Sequence, residues 1–211
     1  MGSQQATLYY FHDPMCSWCW AFSATFHQLV EHMPASVIVR PALGGLAADT
    51  DEPMSPEMQE HIRSNWRKIE ASVPGVRFNY AFWEQCQPRR ATYAACRAVI
   101  AARLQGGEFE RAMISAIQRA YYRQARNPSE NETLLELASE LGLDERFERD
   151  FYSEGVARQL QQEISLCRAM FVESFPSLVL QVGQSCYPVS IDYLDYRPML
   201  NFILQQLEEA K

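Results

Sequence analysis

The sequence predicts an α/β fold in which a βαβ unit and a ββα unit flank an inserted all-helical block. Three observations predict it. Short β-rich apolar runs cluster near the two ends of the chain, apolar residues at helical spacing fill the stretch between them, and prolines and glycines fall where one regime gives way to the other.

Taken in order, Thr7 to Phe11 is a β-rich run and His12-Asp13-Pro14 a loop. A helix follows from about Ser17 to Met33, with Trp20, Phe22, Phe26, Leu29 and Val30 at helical spacing, and Pro34 stops it. Val37-Ile38-Val39 reads as a second strand, its unbroken hydrophobicity suiting burial on both faces. Gly44-Gly45 either permits a close backbone approach or turns the chain, and the segment from Asp49 to Pro56 leaves the sheet. Helices are predicted over 56–71, 88–105, 108–124, 130–141, 144–152 and 154–170, the first opened by Ser55-Pro56-Glu57 and the fourth closed by Gly142. After Phe175-Pro176 the pattern returns to strand at Ser177–Gln181, turns at Gly183-Gln184, and runs back through Cys186–Val189, where Pro188 marks an edge or a bulge. Asp192 is placed to cap a final helix to about Glu209, with Pro198 as its alternative start. Residues 1–45 and 169–211 are thus expected to form one domain, and 46–168 an inserted helical one.

With 211 residues, 47% hydrophobic and 21% charged, the chain has the composition of a globular protein. A net charge of −7 argues against nucleic acid or an anionic membrane as partner, and no apolar stretch is long enough to span a bilayer. The opening residues carry no basic n-region or long h-region, so the cytoplasm is the expected compartment, or the periplasm if a leader has been removed. Six cysteines are too few for a disulfide-stapled scaffold. Cys86, Cys96, Cys167 and Cys186 stand singly among apolar residues and read as free thiols in the core; a Cys86–Cys96 disulfide is the alternative.

The remaining pair is different. Cys16-Ser17-Trp18-Cys19 lies directly after a strand and at the start of a helix. Unpaired N–H groups there carry partial positive charge and favour a thiolate, and the i,i+3 spacing brings both sulfurs to one face. The competing reading is half of a zinc site. Zinc wants four ligands and the sequence offers no second pair, so no metal is expected.

The order of elements, the cysteine pair and the proline opening the third strand together resemble the thioredoxin fold; the helical insertion makes the chain similar to the DsbA family of thiol–disulfide oxidoreductases. Asp13-Pro14-Met15-Cys16-Ser17-Trp18-Cys19-Trp20 and Ser174-Phe175-Pro176-Ser177-Leu178 are similar to the soluble DsbA-like branch that includes the FrnE proteins. The resemblance implies that Cys16 is the nucleophile and Cys19 the resolving thiol, and that Pro176 is a cis-proline facing them. Phe175 would then offer its backbone to an extended substrate, and its large ring is expected to narrow the groove beside it. Ser17 would offer a donor and Trp18 an apolar cover; without an imidazole between the cysteines, the couple is expected to be more reducing than that of Pro-His relatives. His12 and Asp13 either tune Cys16 and shuttle a proton or merely end the strand and form the turn.

Met15, Trp18, Trp20 and Phe22 form an apolar docking rim or are core. Phe78, Tyr80, Phe82 and Trp83 line a cleft or pack inside, and His27, His32 and His61 belong to the surface. The implied activity is disulfide exchange with protein, peptide or small-thiol partners, glutathione included as co-substrate, with no bound cofactor and with direction and oligomeric state left open. Two alternatives stand beside it: an enzyme resembling kappa-class glutathione transferases and 2-hydroxychromene-2-carboxylate isomerases, which carry a serine where this chain has cysteine, and a non-enzymatic peptide-binding chaperone.

Overall fold

The computed structural model describes residues 6–210. Strand β1 (Ala6–His12) leads into helix α1 (Ser17–Glu31) and strand β2 (Val37–Leu43). Seven helices follow: α2 (Pro56–Ser72), α3 (Phe82–Gln85), α4 (Tyr93–Arg103), α5 (Gly107–Arg123), α6 (Asn131–Glu140), α7 (Arg146–Phe151) and α8 (Glu154–Ala169). The chain then returns through β3 (Ser177–Val182), β4 (Ser185–Val189) and α9 (Arg197–Glu209). The sheet order is β2-β1-β3-β4, with β1 parallel to β2 and antiparallel to β3, so that Leu8 lies between Val39 and Leu180. This is a thioredoxin-like sheet with helices inserted between its second and third strands.

Alternation along the strands divides the core into layers. Leu8, Tyr10, Leu178 and Leu180 pack toward Phe22 and Leu29 of α1 and Met199 and Ile203 of α9. On the opposite face, Tyr9, Phe11, Ala42 and Val179 meet Cys167 of α8. The helical block has its own centre in Trp66, whose ring lies 4.7 Å from Phe78, 5.0 Å from Trp83 and 5.8 Å from Tyr122. Phe78, Tyr80, Phe82 and Trp83 are therefore interior packing around Trp66 rather than the lining of a cleft. Met15, Ala21 and Leu43 belong to this same cluster, so the block is packed onto the ends of β1, α1 and β2 where the cysteine pair sits.

Local signals explain most element boundaries. Ser55 accepts a hydrogen bond from the Met58 N–H with Pro56 in the first turn, and Ser153 accepts from Val156. Elsewhere tertiary contacts override them. Strand β1 continues through His12. Helix α4 begins at Tyr93, not near 88, because Arg89 makes a β-bridge with Pro53 and Thr92 is turned into the site. Asp192 accepts from the N–H groups of Leu194 and Asp195, making a turn, and α9 starts only at Arg197.

Strand β2 runs on to Leu43 and is a sheet edge, with Ile38 47% exposed, so its hydrophobic run does not signify burial on both faces. All six cysteines are free. Cys96 and Cys167 are buried as expected, whereas Cys86 is half-buried and Cys186 is exposed, since it lies on the edge strand β4. His27, His32 and His61 are exposed. Among the described residues no helix is long and apolar enough to cross a membrane.

Candidate active site

Cys16 is the N-cap of α1, in extended conformation with φ −83° and ψ 117°, and its side chain caps nothing. Its sulfur is therefore left facing the first unpaired N–H groups of the helix. The thiol is held below the ordinary cysteine range chiefly by a hydrogen bond from the Cys19 thiol and also by the N–H groups of Cys19 and Trp18; burial and the nearby Asp13 carboxyl oppose them. Cys19 moves the other way. Burial, then the hydrogen bond and negative charge of Cys16, push it well above the usual range. At 7% and 1% exposure both are buried, Cys16 the less deeply.

Across from Cys16 stands Phe175, joined to Pro176 by a cis peptide bond. In its thiol form Cys16 donates to the Phe175 carbonyl, with Sγ and oxygen 3.4 Å apart. The strand-opening motif and the helix-start motif, 159 residues apart, thus come within one hydrogen bond of each other. The Phe175 ring does not stand free in a groove: it lies against the buried Gly44 and joins the Tyr9, Phe11, Ala42 and Val179 cluster. What Phe175 turns toward the cysteine is its backbone.

Asp13 is fully buried and does more than shape a turn. One oxygen accepts from the Met15 N–H at 2.8 Å; the other accepts from the Leu46 N–H at 2.8 Å, the Thr92 hydroxyl at 2.6 Å and the Cys96 thiol at 3.6 Å. Burial pushes its pKa up, and these four donors hold it back. His12 stacks on Tyr10 with ring centroids 4.8 Å apart. Burial, and secondarily the Arg103 charge, lower its pKa to about 3, so at neutral pH it carries no charge toward Cys16.

The expected rim of four side chains reduces to fewer. Met15 and Phe22 are buried, and Trp20 packs against Tyr122 at 5.8 Å. Half-buried Trp18 remains, joined by a residue the sequence did not mark: Tyr193, 5.1 Å away between ring centroids. Tyr193 sits on the turn before α9, held there by the Thr25 hydroxyl donating to its carbonyl at 2.7 Å. Its phenol is pushed up by burial and by the charge of both cysteines. Ser17 is half-buried at the start of α1.

Thr92 and Glu163 were equally unmarked, and Cys96 was read as a core thiol without its contact to Asp13, because nothing in a helical stretch signals which residues fold back onto a distant loop. Glu163 of α8 accepts from the Leu43 N–H at 2.7 Å and is paired with Arg103 at 2.6 Å, which also reaches Glu110 at 2.8 Å. This network ties α4, α5 and α8 to the end of β2. Together these groups make one sulfur easy to ionise beside a second that keeps its proton, next to the Phe175 backbone. Such a pair can attack a disulfide and then release the mixed disulfide it forms.

Comparison with known proteins gives this geometry its kin. The thioredoxin family model matches residues 9–187. A Nitrosomonas europaea protein provisionally named a protein disulfide isomerase superposes with a TM-score of 0.84 at 27% identity, over 98% of this chain and 99% of that one. The cytosolic disulfide reductase DsbM of Pseudomonas aeruginosa, also solved with GSH, shares the fold at 24% identity and a TM-score of 0.75, over 96% of this chain and 99% of that one. The ClpXP adapter protein SpxH of Bacillus subtilis is 28% identical over 174 residues, which is 81% of this chain; the chain spans 56% of that relative's length.

Proposed function

We propose that this chain, which belongs to the thioredoxin family and has the DsbA-like insertion of helices into the sheet, is a thiol–disulfide oxidoreductase acting through Cys16 and Cys19. The observation that carries the reading is the opposed pair: a Cys16 thiol lowered at a helix N-terminus beside a Cys19 thiol raised by burial.

In the reducing direction, the Cys16 thiolate attacks one sulfur of a substrate disulfide. A Cys16–substrate bond forms and the other substrate sulfur leaves as a thiolate. Cys19 then gives up its proton and attacks Cys16, so that the Cys16–Cys19 bond forms and the second substrate thiolate departs. Two electrons pass from the dithiol to the substrate, and two glutathione molecules return them by the reverse exchange, leaving glutathione disulfide. Pro176 and the Phe175 backbone hold the substrate segment, Trp18 covers the sulfurs, and Asp13 sets the charge beneath them. Ser17-Trp18 between the cysteines and the cytosolic compartment named for DsbM support a reductant in the cytoplasm.

The test is to equilibrate the Cys16/Cys19 pair against graded glutathione buffers and to assay insulin reduction and the rescue of scrambled ribonuclease in parallel. A couple at or slightly above the glutathione poise and below that of the substrate disulfide, with insulin turnover that is lost in Cys16→Ser, is expected. A Cys16 thiol no more reactive than free cysteine at neutral pH sinks the proposal. A second reading has one observation in its favour, the SpxH relatives: a protein that binds a client for a ClpXP-type protease. Client delivery by a Cys16→Ser/Cys19→Ser variant, with no turnover in the native chain, would replace the first reading by this one.

A further inference from the structure

We infer that Gly44 is a positioning residue for disulfide exchange, keeping the Phe175 carbonyl at Cys16 by leaving room for the Phe175 ring; the inference rests on the oxidoreductase reading above. A Cβ built on Gly44 would stand 1.9 Å and 2.1 Å from two carbons of that ring, far inside van der Waals contact. The backbone does not itself require glycine there. The left-handed conformation belongs to the next residue, Gly45, at φ +59°. What demands a missing side chain at 44 is the ring alone.

The platform beneath the ring is fixed on both sides. The Gly44 N–H donates to the His12 carbonyl at 2.7 Å, and the preceding N–H, of Leu43, donates to Glu163, itself held by Arg103. An added methyl therefore displaces the ring more readily than the strand. The ring belongs to the residue whose carbonyl is 3.4 Å from the Cys16 sulfur, so its displacement carries the carbonyl away. An extended peptide substrate needs that backbone for strand-like pairing; a small aromatic disulfide needs only the sulfur.

Gly44→Ala should then lower kcat/KM on a cysteine-containing peptide disulfide by about tenfold, mainly through KM. Its rate with 5,5′-dithiobis(2-nitrobenzoate) should stay within about twofold of the native rate. The Cys16 alkylation midpoint should fall by about half a pH unit, the worth of one weak hydrogen bond, because the carbonyl that accepts the thiol proton has moved. Gly44→Ala/Phe175→Val, which restores the lost space, should recover the peptide rate and the midpoint.

Equal losses on both substrates, no change on either, or a double variant no better than Gly44→Ala would overturn the inference. Should Gly44→Ala fail to fold, a folded and active double variant supports the steric coupling and an unfolded one refutes it. The alkylation midpoint needs no turnover. A native chain without exchange activity would therefore defeat the oxidoreductase reading while the midpoints of the two variants still decide on Gly44.

Discussion

Asp13 is gripped by the two halves of the molecule in different ways. From the sheet side comes a neighbour in sequence, the N–H of Met15, two residues along. From the helical side come Thr92 and Cys96, 79 and 83 residues away. The sulfurs and the Phe175 backbone sit where β1 ends and α1 and β3 begin, while the block contributes an aromatic wall and the donors that keep a buried carboxyl satisfied. The chemistry is local to the sheet and its containment is not. Variants on the two sides should therefore fail differently.

The largest effect belongs to the helical centre. Trp66→Ala removes the ring around which the block is packed and should lower stability to urea by about 3–5 kcal/mol. In the molecules that remain folded, the Cys16 alkylation midpoint should match that of the native chain. A midpoint that moved would mean that the aromatic wall itself sets the thiol, and the contrast between the two halves would dissolve.

Next comes a dependence on pH. His12 stays neutral in the fold down to about pH 3 but takes up a proton near 6.5 when unfolded. Between these values the unfolded chain binds the extra proton, so stability falls as pH falls. From pH 7 to 5 the contribution is about 2 kcal/mol. Asp13, raised by burial, acts with the opposite sign, favouring the fold while protonated and losing that contribution as pH rises through its own pKa. Urea midpoints of the native chain and of His12→Phe, which preserves the stack on Tyr10, isolate the histidine. The native chain should lose more stability than the variant over that range, and parallel curves would contradict the burial argument.

A smaller loss probes the seam between the halves. Thr92→Val deletes the 2.6 Å donor to Asp13 and should cost about 1.5 kcal/mol at neutral pH. The deficit should shrink as the carboxyl becomes protonated, since a neutral Asp13 needs that donor less. A deficit independent of pH would assign it to packing instead. Smallest of all, Cys186→Ser on the exposed edge strand should change stability by less than about 0.5 kcal/mol and leave exchange at Cys16 unaltered.

The same division governs what could be read from the chain. The cysteine pair, the strand before it and the Phe175-Pro176 motif announce themselves because strand-to-helix junctions and prolines constrain nearby backbone directly. Gly44 was legible as a close approach or a turn, but its partner was not, since a contact with residue 175 leaves no local trace. Tyr193 was hidden for another reason. Asp192 resembles a helix cap, so the turn that aims the phenol passes for the first turn of a helix; the alternative start at Pro198 is the one the structure bears out, with α9 opening at Arg197. The edge position of β2 was missed because an apolar run reports hydrophobicity and not which neighbour covers it; Ile38 remains in solvent.

Both outermost strands carry a proline, Pro41 in β2 and Pro188 in β4. Each lacks an amide hydrogen, so a foreign strand laid along either flank would meet a broken ladder. Both flanks thereby resist being extended by a strand of another protein, or by a second copy of this chain. The Phe175 carbonyl, 3.4 Å from the Cys16 sulfur, lies instead just before the interior strand β3.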